Sequence, residues 1–375
     1  MTYKRFLEEE LKSSASIVIT KSMKKKKIIL HDQQYTIGGP KAVLDGIVNS
    51  YLGKKYEFVR LAQPEGCGFN PFKAIAFIRK YKKMITQEHA DAIYICGLEY
   101  VGLLMTITAK LSKVKKIILS VHGSHWDTPD HTLRKRLLMY IVEPLEIKLA
   151  DSIITVCNSA QRIIKPLHHC KNNDGVVYNT FPNIDYDSIP TGVIRKELGI
   201  SDDKIIVTSV GRVVEPKGHA YTIEAIKQIR DDKFVFVVVG DGNYLDVYRE
   251  KCKTEIARGK VILLGKRSDV CCILKDSDIF LFATLNENHS IALLEAVNMK
   301  CCVLCTNVGG NPEIIRDGVT GLLIPRKDSV AIIEGLNKLV NPDIRKQYAE
   351  IAYSECKEKF SVENTYGKLD KIFEE

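Results

Sequence analysis

Short apolar runs recur along this chain, each giving way to glycine, histidine or polar positions and then to residues spaced for a helix. In the first half they are Lys27–His31, Glu57–Leu61, Ala92–Cys96, Ile117–Val121, Ser152–Val156 and Val176–Tyr178. In the second half the clearest are Ile205–Val210, Phe234–Val239 and Cys302–Cys305. Runs of this length bounded by turn formers read as strands. Their alternation with helices predicts parallel sheets joined by right-handed crossovers. Helices are expected from Pro40, where proline suits a first turn, from Ala220 to Ile229 and from Ser290 onward. Two more are expected at Ile344–Phe360 and Val362–Phe373. Residues 1–23 read as a helix or a loose extension. No internal repeat or low-complexity segment is present.

The segments after the strands carry the chemistry. Gly211-Arg212 through Lys217-Gly218 is strand, glycine turn, two cations, glycine, helix. It places positive heads over a helix start, which suits a diphosphate. Gly240-Asp241-Gly242 ends the next strand, and its glycines permit close backbone approach. Thr306 to Glu313, with Gly309-Gly310-Asn311-Pro312, follows another. Ligands of open α/β sheets bind at the carboxyl ends of the strands, so these loops belong on one rim. Glu287 and Glu295 bracket a loop feeding a helix from Ser290, and Glu295 lies within the apolar stretch Ile291–Val297. A carboxylate there is costly unless it is bonded. Glu295 therefore has a buried protein partner or awaits a polar ligand. An anion-seeking helix start beside two acceptors suits a ligand with both phosphate and hydroxyls, such as a nucleotide sugar.

Taken together, these motifs resemble the donor half of family 4 retaining glycosyltransferases (glycosyl transferases group 1). The shared features are Gly211-Arg212 with Lys217-Gly218, Gly240-Asp241-Gly242, Glu287 with Glu295-Ala296, Gly309-Gly310-Asn311-Pro312-Glu313, and Asp317-Gly318 through Leu323. The resemblance is strong over residues 205–325 and holds in outline elsewhere. It implies the GT-B fold: α/β, two Rossmann-like domains with parallel sheets facing across a cleft. The boundaries expected are 1–182 for an acceptor domain, 183–342 for a donor domain, and 343–375 for helices crossing back to the first.

The resemblance also implies roles. Arg212 and Lys217 bind the donor diphosphate, with Gly38 and Gly39 of the loop Tyr35–Pro40 and the amides of Ser290 and Ile291. Glu295 accepts from the ribose. Glu287 faces the transferred sugar as a catalytic residue, with Asn288 and His289 as further sugar contacts. His122, in Val121-His122-Gly123-Ser124-His125-Trp126-Asp127, lies in the cleft near the sugar as a second catalytic residue. His125, Trp126 and Asp127 are read as acceptor contacts, the single tryptophan offering a flat face to a sugar ring. After Ala296 the sequence departs from the family, with Val297-Asn298-Met299-Lys300 in place of small residues ending in glycine. That changes the packing of helix on strand. The implied reaction moves a hexose-type sugar, from a UDP-sugar, to a hydroxyl of a saccharide or lipid-linked saccharide in cell-surface polysaccharide synthesis. The nucleotide sugar is a co-substrate, and no metal or other cofactor is implied. A GT-B epimerase or hydrolase, or a non-catalytic subunit binding a nucleotide sugar, are the alternatives. Donor base and sugar, acceptor, linkage and oligomeric state are not set by these residues.

At 375 residues the chain suits two domains. Its charge is uneven: the first 185 residues hold 28 Lys and Arg against 17 Asp and Glu, a net of +11, and the rest a net of −2. A basic half seeks an anionic surface or substrate. No nucleic-acid-binding pattern accompanies it. The segment His131–Ala150 sets Arg134, Lys135 and Arg136 among leucines. It reads as a basic amphipathic helix making peripheral contact with an anionic membrane, or as a helix whose apolar side faces the core. Eleven cysteines, an odd number lying mostly in apolar runs, fit reduced thiols in a cytoplasmic protein, at the inner face of the membrane if docked. None has zinc-site spacing, and His168-His169-Cys170 reads as a surface loop. No apolar run is long enough for a membrane span or a signal sequence.

Overall fold

The computed structural model describes residues 25–32, 39–63, 69–127 and 132–375. The initial segment, and the glycine loop up to Gly38, lie outside the described residues. The first sheet contains β1 (Lys27–Asp32), β2 (Glu57–Ala62), β3 (Ala92–Cys96), β4 (Lys116–Val121), β5 (Ser152–Thr155) and β6 (Asn173–Val176). The second contains β7 (Ile205–Val210), β8 (Phe234–Val239), β9 (Val261–Gly265), β10 (Ile279–Phe282), β11 (Cys302–Thr306) and β12 (Gly321–Ile324). Spatial order is β2-β1-β3-β4-β5-β6 in one and β12-β11-β10-β7-β8-β9 in the other. All the strand pairings in both sheets are parallel.

The inner strands of each sheet are buried on both faces, which is why they read as unbroken apolar runs, while the edge strands are partly exposed. In the first, Ile29, Ile93, Ile95, Ile117 and Leu119 face one way, toward Phe77 and Tyr81 of the helix Pro71–Glu88. Their neighbours Ile28, Leu30, Tyr94 and Ile118 face the other, toward Leu44 and Ile47 of the helix Gly39–Asn49. The period of two along a strand divides them between two cores.

Three expectations change. The sixth strand lies at Asn173–Val176, one turn of sequence earlier than the apolar run suggested. It is an edge strand whose polar residues pair with β5 through a register shift, and Gly175 sits at φ 88°. The basic segment is not one regular helix. Within it, Leu133–Leu137 and Glu143–Leu149 are α-helical and Leu138–Val142 is a π-turn. Pro144 has no N–H to offer the carbonyl four residues back, and the wider turn accommodates it. His131 lies outside the described residues.

Of the final helices, only Val362–Glu374 reaches the first sheet, where Tyr366, Leu369, Ile372 and Phe373 join the core of Leu30 and Tyr94. Tyr56 hydroxyl donates to Asp370 Oδ1 at 2.6 Å, and Lys55 pairs with the same carboxylate at 2.7 Å. The helix Pro342–Lys359 instead stays on the second domain, with Ala352, Cys356 and Phe360 packed among Leu293, Val297 and Val303. Its small buried residues fit the narrow space beside β11 and the helix Ile291–Asn298. The chain crosses between domains at Phe360, whose carbonyl accepts from Phe181 N at 2.7 Å.

Candidate functional site

In the second sheet, chain order runs outward in one direction from β7 and in the other from β10, and these two strands are neighbours. The crevice beyond their carboxyl ends is where such sheets take ligands. The loop after β7 carries Arg212 and Lys217; the loop after β10 carries Glu287 to Ser290. Backbone contacts stitch them together. Leu285 N donates to Pro216 O at 2.9 Å, and Gly218, at φ 71°, lies so close to Ala283 that a Cβ would stand 1.8 Å from its carbonyl oxygen. Gly309 packs beneath Glu287, where a Cβ would be 1.6 Å from that residue's carbonyl oxygen. These glycines are there because the backbones must touch.

At the mouth of the crevice, Lys217 Nζ bonds Glu287 Oε2 at 2.5 Å, both side chains being about one-fifth exposed. Arg212 is exposed and has no side-chain partner among the described residues. Ser290 caps the helix Ile291–Asn298, its Oγ accepting from Leu293 N at 3.3 Å. One turn along that helix, Glu295 is mostly buried, and no hydrogen bond or ion pair to its carboxyl is formed among the described residues. Burial alone pushes its carboxyl up to about 7.

The first domain closes on this site from the other side. Asn288 Nδ2 donates to His122 O at 2.9 Å and to Asp127 Oδ2 at 3.1 Å. Its Oδ1 accepts from Cys157 Sγ at 3.6 Å. Glu313 takes four hydrogen bonds from the first domain: Asn158 N at 3.0 Å, Asn158 Nδ2 at 2.8 Å, Ser159 N at 2.9 Å and Tyr178 hydroxyl at 2.8 Å. Two of these are orphan amides at the start of the helix Asn158–Ile163, where negative charge is favoured. The start of the helix Gly39–Asn49 also faces these loops, since a Cβ on Gly39 would lie 3.8 Å from Ile291 Cδ1.

His122 Nε2 lies 3.1 Å from Ser120 Oγ, and burial lowers its pKa to about 4, so the ring is neutral at ordinary pH. The loop that follows is held by Glu143, which is fully buried. Its carboxylate accepts from Ser124 Oγ at 2.7 Å, His125 N at 2.8 Å and His125 Nδ1 at 2.8 Å. Among the described residues no group of His, Cys, Asp and Glu is arranged to hold a metal ion.

Comparison with known proteins places this geometry. Residues 191–355 match the family Glycosyl transferases group 1, and residues 47–158 match Glycosyl transferase 4-like. Together the two matches cover most of the chain. The chain belongs to the group 1 glycosyltransferases. An Escherichia coli UDP-Gal:alpha-D-GlcNAc-diphosphoundecaprenol alpha-1,3-galactosyltransferase is 27% identical over 305 residues, 77% of this chain and 76% of that one. The Staphylococcus aureus capsular polysaccharide biosynthesis glycosyltransferase CapM is 23% identical over 312 residues, 79% and 80% of the two chains. The structure of Anabaena Alr3699/HepE in complex with UDP and glucose superposes with a TM-score of 0.76 at 16% identity, covering 93% of this chain and 99% of that one. That likeness establishes the GT-B fold expected from the sequence.

Within this glycosyltransferase the anticipated residues do not all share one environment. Lys217 meets Glu287, Gly39 lies against Ile291 and the His122 carbonyl against Asn288, while Arg212, Ser290 and Glu295 sit on the segments that follow β7 and β10. Gly38 lies outside the described residues. The His289 side chain is turned away from the crevice. It is buried between Tyr178 and Phe360, at 5.0 and 4.7 Å between ring centroids, and neither ring nitrogen has a partner. Only its backbone faces its neighbours with a polar group, the carbonyl accepting from Asn179 Nδ2 at 2.6 Å. Asn288 and Asp127 are bonded to each other across the seam rather than standing open. Trp126 is no open platform: Tyr140 packs edge-on at 5.3 Å, Lys165 Nζ lies 5.5 Å from the ring centre, and Nε1 is buried. Its ring is half-buried against the edge of the first domain's core. Two residues that sequence reasoning missed are Glu143, and Glu313 in its bridging role. Glu143 could have been suspected as an acid inside an apolar helical face.

Proposed function

We propose that this chain transfers a hexose-type sugar from a UDP-sugar to a hydroxyl of a lipid-linked saccharide, with retention of configuration and without a metal ion. The observation that carries the donor half of this reading is Glu295. It is a buried carboxyl with no bond to it among the described residues, one turn from the capped helix start at Ser290, on the helix that follows the loop whose Glu287 bonds Lys217. A nucleoside diphosphate satisfies these groups together. Ribose hydroxyls donate to Glu295, while the diphosphate meets Arg212, Lys217 and the free amides of the helix start. Glu287 would then exchange Lys217 for sugar hydroxyls. The cations and amides stabilise charge gathering on the departing diphosphate, and closure of the seam keeps water from the donor. Neutral His122 would face the sugar as a hydrogen-bonding group. The acceptor class is supported by the diphosphoundecaprenol in the name of the E. coli relative, and the polysaccharide role by CapM. We place the reaction in the cytoplasm, at the inner face of its membrane.

The test is thermal unfolding with UDP-, GDP- and ADP-sugars at equal concentration, because ligand that binds only the folded state raises the transition. UDP-sugars should raise it most, and EDTA should leave the shift unchanged. Absence of any shift with UDP-sugars overturns the donor reading. Abolition of the shift by EDTA overturns the metal-free one. A UDP-linked epimer formed without acceptor would favour the epimerase alternative.

A further inference from the structure

We propose that Ser120 is a positioning residue for the reaction. Its hydroxyl accepts from the buried Tyr94 and donates to His122 Nε2, which fixes the ring in the tautomer with its proton on Nδ1, the nitrogen left to donate to the transferred sugar. The role rests on the reading that His122 faces that sugar, and it adds what decides which hydrogen bond the ring can offer there. The placement follows from the period of two along a strand. Ile118, Ser120 and His122 alternate along β4 and just past its end, so Ser120 points to the same face as Ile118, the face on which Tyr94 packs. In the pairing of β3 with β4, Tyr94 stands beside Ile118 and Cys96 beside Ser120. Ser120 Oγ lies 3.1 Å from His122 Nε2 and also hydrogen-bonds the Tyr94 side chain. Ser120 is 1% and Tyr94 2% exposed, so neither hydroxyl has water as an alternative partner.

The direction of the protons follows from what each group holds. A phenol carries one proton, and burying it without an acceptor is costly. Burial pushes the Tyr94 pKa well above the usual range, so the proton stays on. The nearby Tyr366 hydroxyl is engaged elsewhere, with Thr180 Oγ1 at 3.4 Å. Ser120 Oγ is therefore the acceptor for Tyr94, and it directs its own proton to His122 Nε2. The His122 ring is neutral, so with Nε2 accepting its single N–H is on Nδ1. Nδ1 has no partner among the described residues and is not sealed off, in contrast to both nitrogens of His289. The backbone of the same residue is held from the other domain, its carbonyl accepting from Asn288 Nδ2 at 2.9 Å. His122 is thus fixed through its ring by the first domain and through its backbone by the donor loop.

The test is nitrogen NMR of the ligand-free full chain, isotope-labelled at histidine, at neutral pH, where the two ring nitrogens of a neutral histidine resonate far apart and show which is protonated. The His122 signals are those missing from His122→Gln. Protonation on Nδ1 is expected in the parent. Turnover is read as release of UDP from whichever UDP-sugar raises the unfolding temperature most. Ser120→Ala should move the proton to Nε2 or mix the two tautomers, and lower turnover by about tenfold with UDP affinity kept within about threefold. Tyr94→Phe leaves Ser120 able to turn its proton either way, so it should mix the tautomers and lower turnover less. Ser120→Thr keeps the hydroxyl and should hold the parent tautomer. A parent ring protonated on Nε2 overturns the proposal. So does a parent-like tautomer in both Ser120→Ala and Tyr94→Phe, or parent-like turnover in Ser120→Ala once its tautomer has changed. Loss of UDP binding by the parent chain would instead count against the donor reading, and the ligand-free spectrum would still decide which nitrogen Ser120 holds.

Discussion

Glu295 is a carboxyl group in a place where water is scarce and no protein donor among the described residues reaches it. Burial raises its pKa from 4.5 to about 7. The folded chain therefore holds this proton over a pH range in which the unfolded chain has lost it. Stability falls as pH rises from 4.5 to 7 and levels off above, by up to about 3 kcal/mol if the whole shift is expressed. Glu295→Gln should remove that slope and unfold at a higher temperature than the parent at pH 8. Ligand hydroxyls that donate to the carboxylate favour its charged form. Binding of UDP near pH 6.5 should thus release a proton, seen as a heat that varies with the ionisation enthalpy of the buffer. Glu295→Gln should bind UDP more weakly with no such release. Glu287→Gln should keep UDP affinity within a few-fold but lose turnover, because its expected partner is the sugar. Identical behaviour of the two variants in both measurements would remove the division of roles.

At the scale of elements, the π-turn before Pro144 aims two acids inward with opposite consequences. Glu143 is satisfied by three donors from the loop Ser124–His125, whereas both Glu146 oxygens are buried with no side-chain donor among the described residues and only the backbone of Glu99 beside them. Glu146 also lies against the helix Tyr100–Leu111, where a Cβ on Gly102 would come within 2.5 Å of its Oε1. Its carboxyl is pushed well above the usual range, first by burial and then by the nearby Glu143 charge. Removing one partner of a buried, bonded charge costs about 3–5 kcal/mol, whereas exchanging an unbonded buried acid for an apolar side chain of similar size is neutral or favourable. Glu143→Ala should therefore lower the unfolding temperature strongly and Glu146→Met should keep or raise it, as scanning calorimetry would show. A marked loss of stability in Glu146→Met would mean that this acid has a partner. The helical period in the sequence shows that both residues can face inward. Which of them finds donors depends on a loop eighteen residues away from Glu143.

Across the whole molecule, Glu313 joins the domains by placing a carboxylate on the first amides of a helix that belongs to the other domain. Arg212, Lys217, Glu287 and Glu295 are all in the second domain, and only the loop at Gly39 is proposed to reach the diphosphate from the first, so UDP is expected to bind largely without this clasp. Glu313→Ala should leave UDP affinity within about threefold. It should also increase the radius of gyration in solution scattering and lower turnover, because closure of the cleft completes the site. An unchanged radius together with unchanged turnover would show that the other seam contacts suffice. The last helix, anchored by Phe373 against Tyr56, Phe58 and Tyr94, keeps the two domains tethered at a second point.

Strand after strand could be read from the sequence because the inner ones are buried on both faces, and burial writes itself as a continuous apolar run. Ile205–Val210 and Phe234–Val239 are such cases, and their bounds agree with the structure. The strands Val261–Gly265, Ile279–Phe282 and Gly321–Ile324 are short, and the sequence did not single them out. The glycine turns and the isolated Glu295 were legible for the same reason, since each is a local departure from what its surroundings favour. Tertiary structure alone decided which side chains stand open. The sequence put His289 and Trp126 in the loops that follow β10 and β4, but packing buried the His289 ring and covered part of the Trp126 ring. It likewise could not tell that Asn288 meets His122 and Asp127, or that Glu313 meets Asn158, because those bonds join residues 166, 161 and 155 positions apart. Contacts of that span follow from how two separately folded sheets are set against each other, and no local pattern records it.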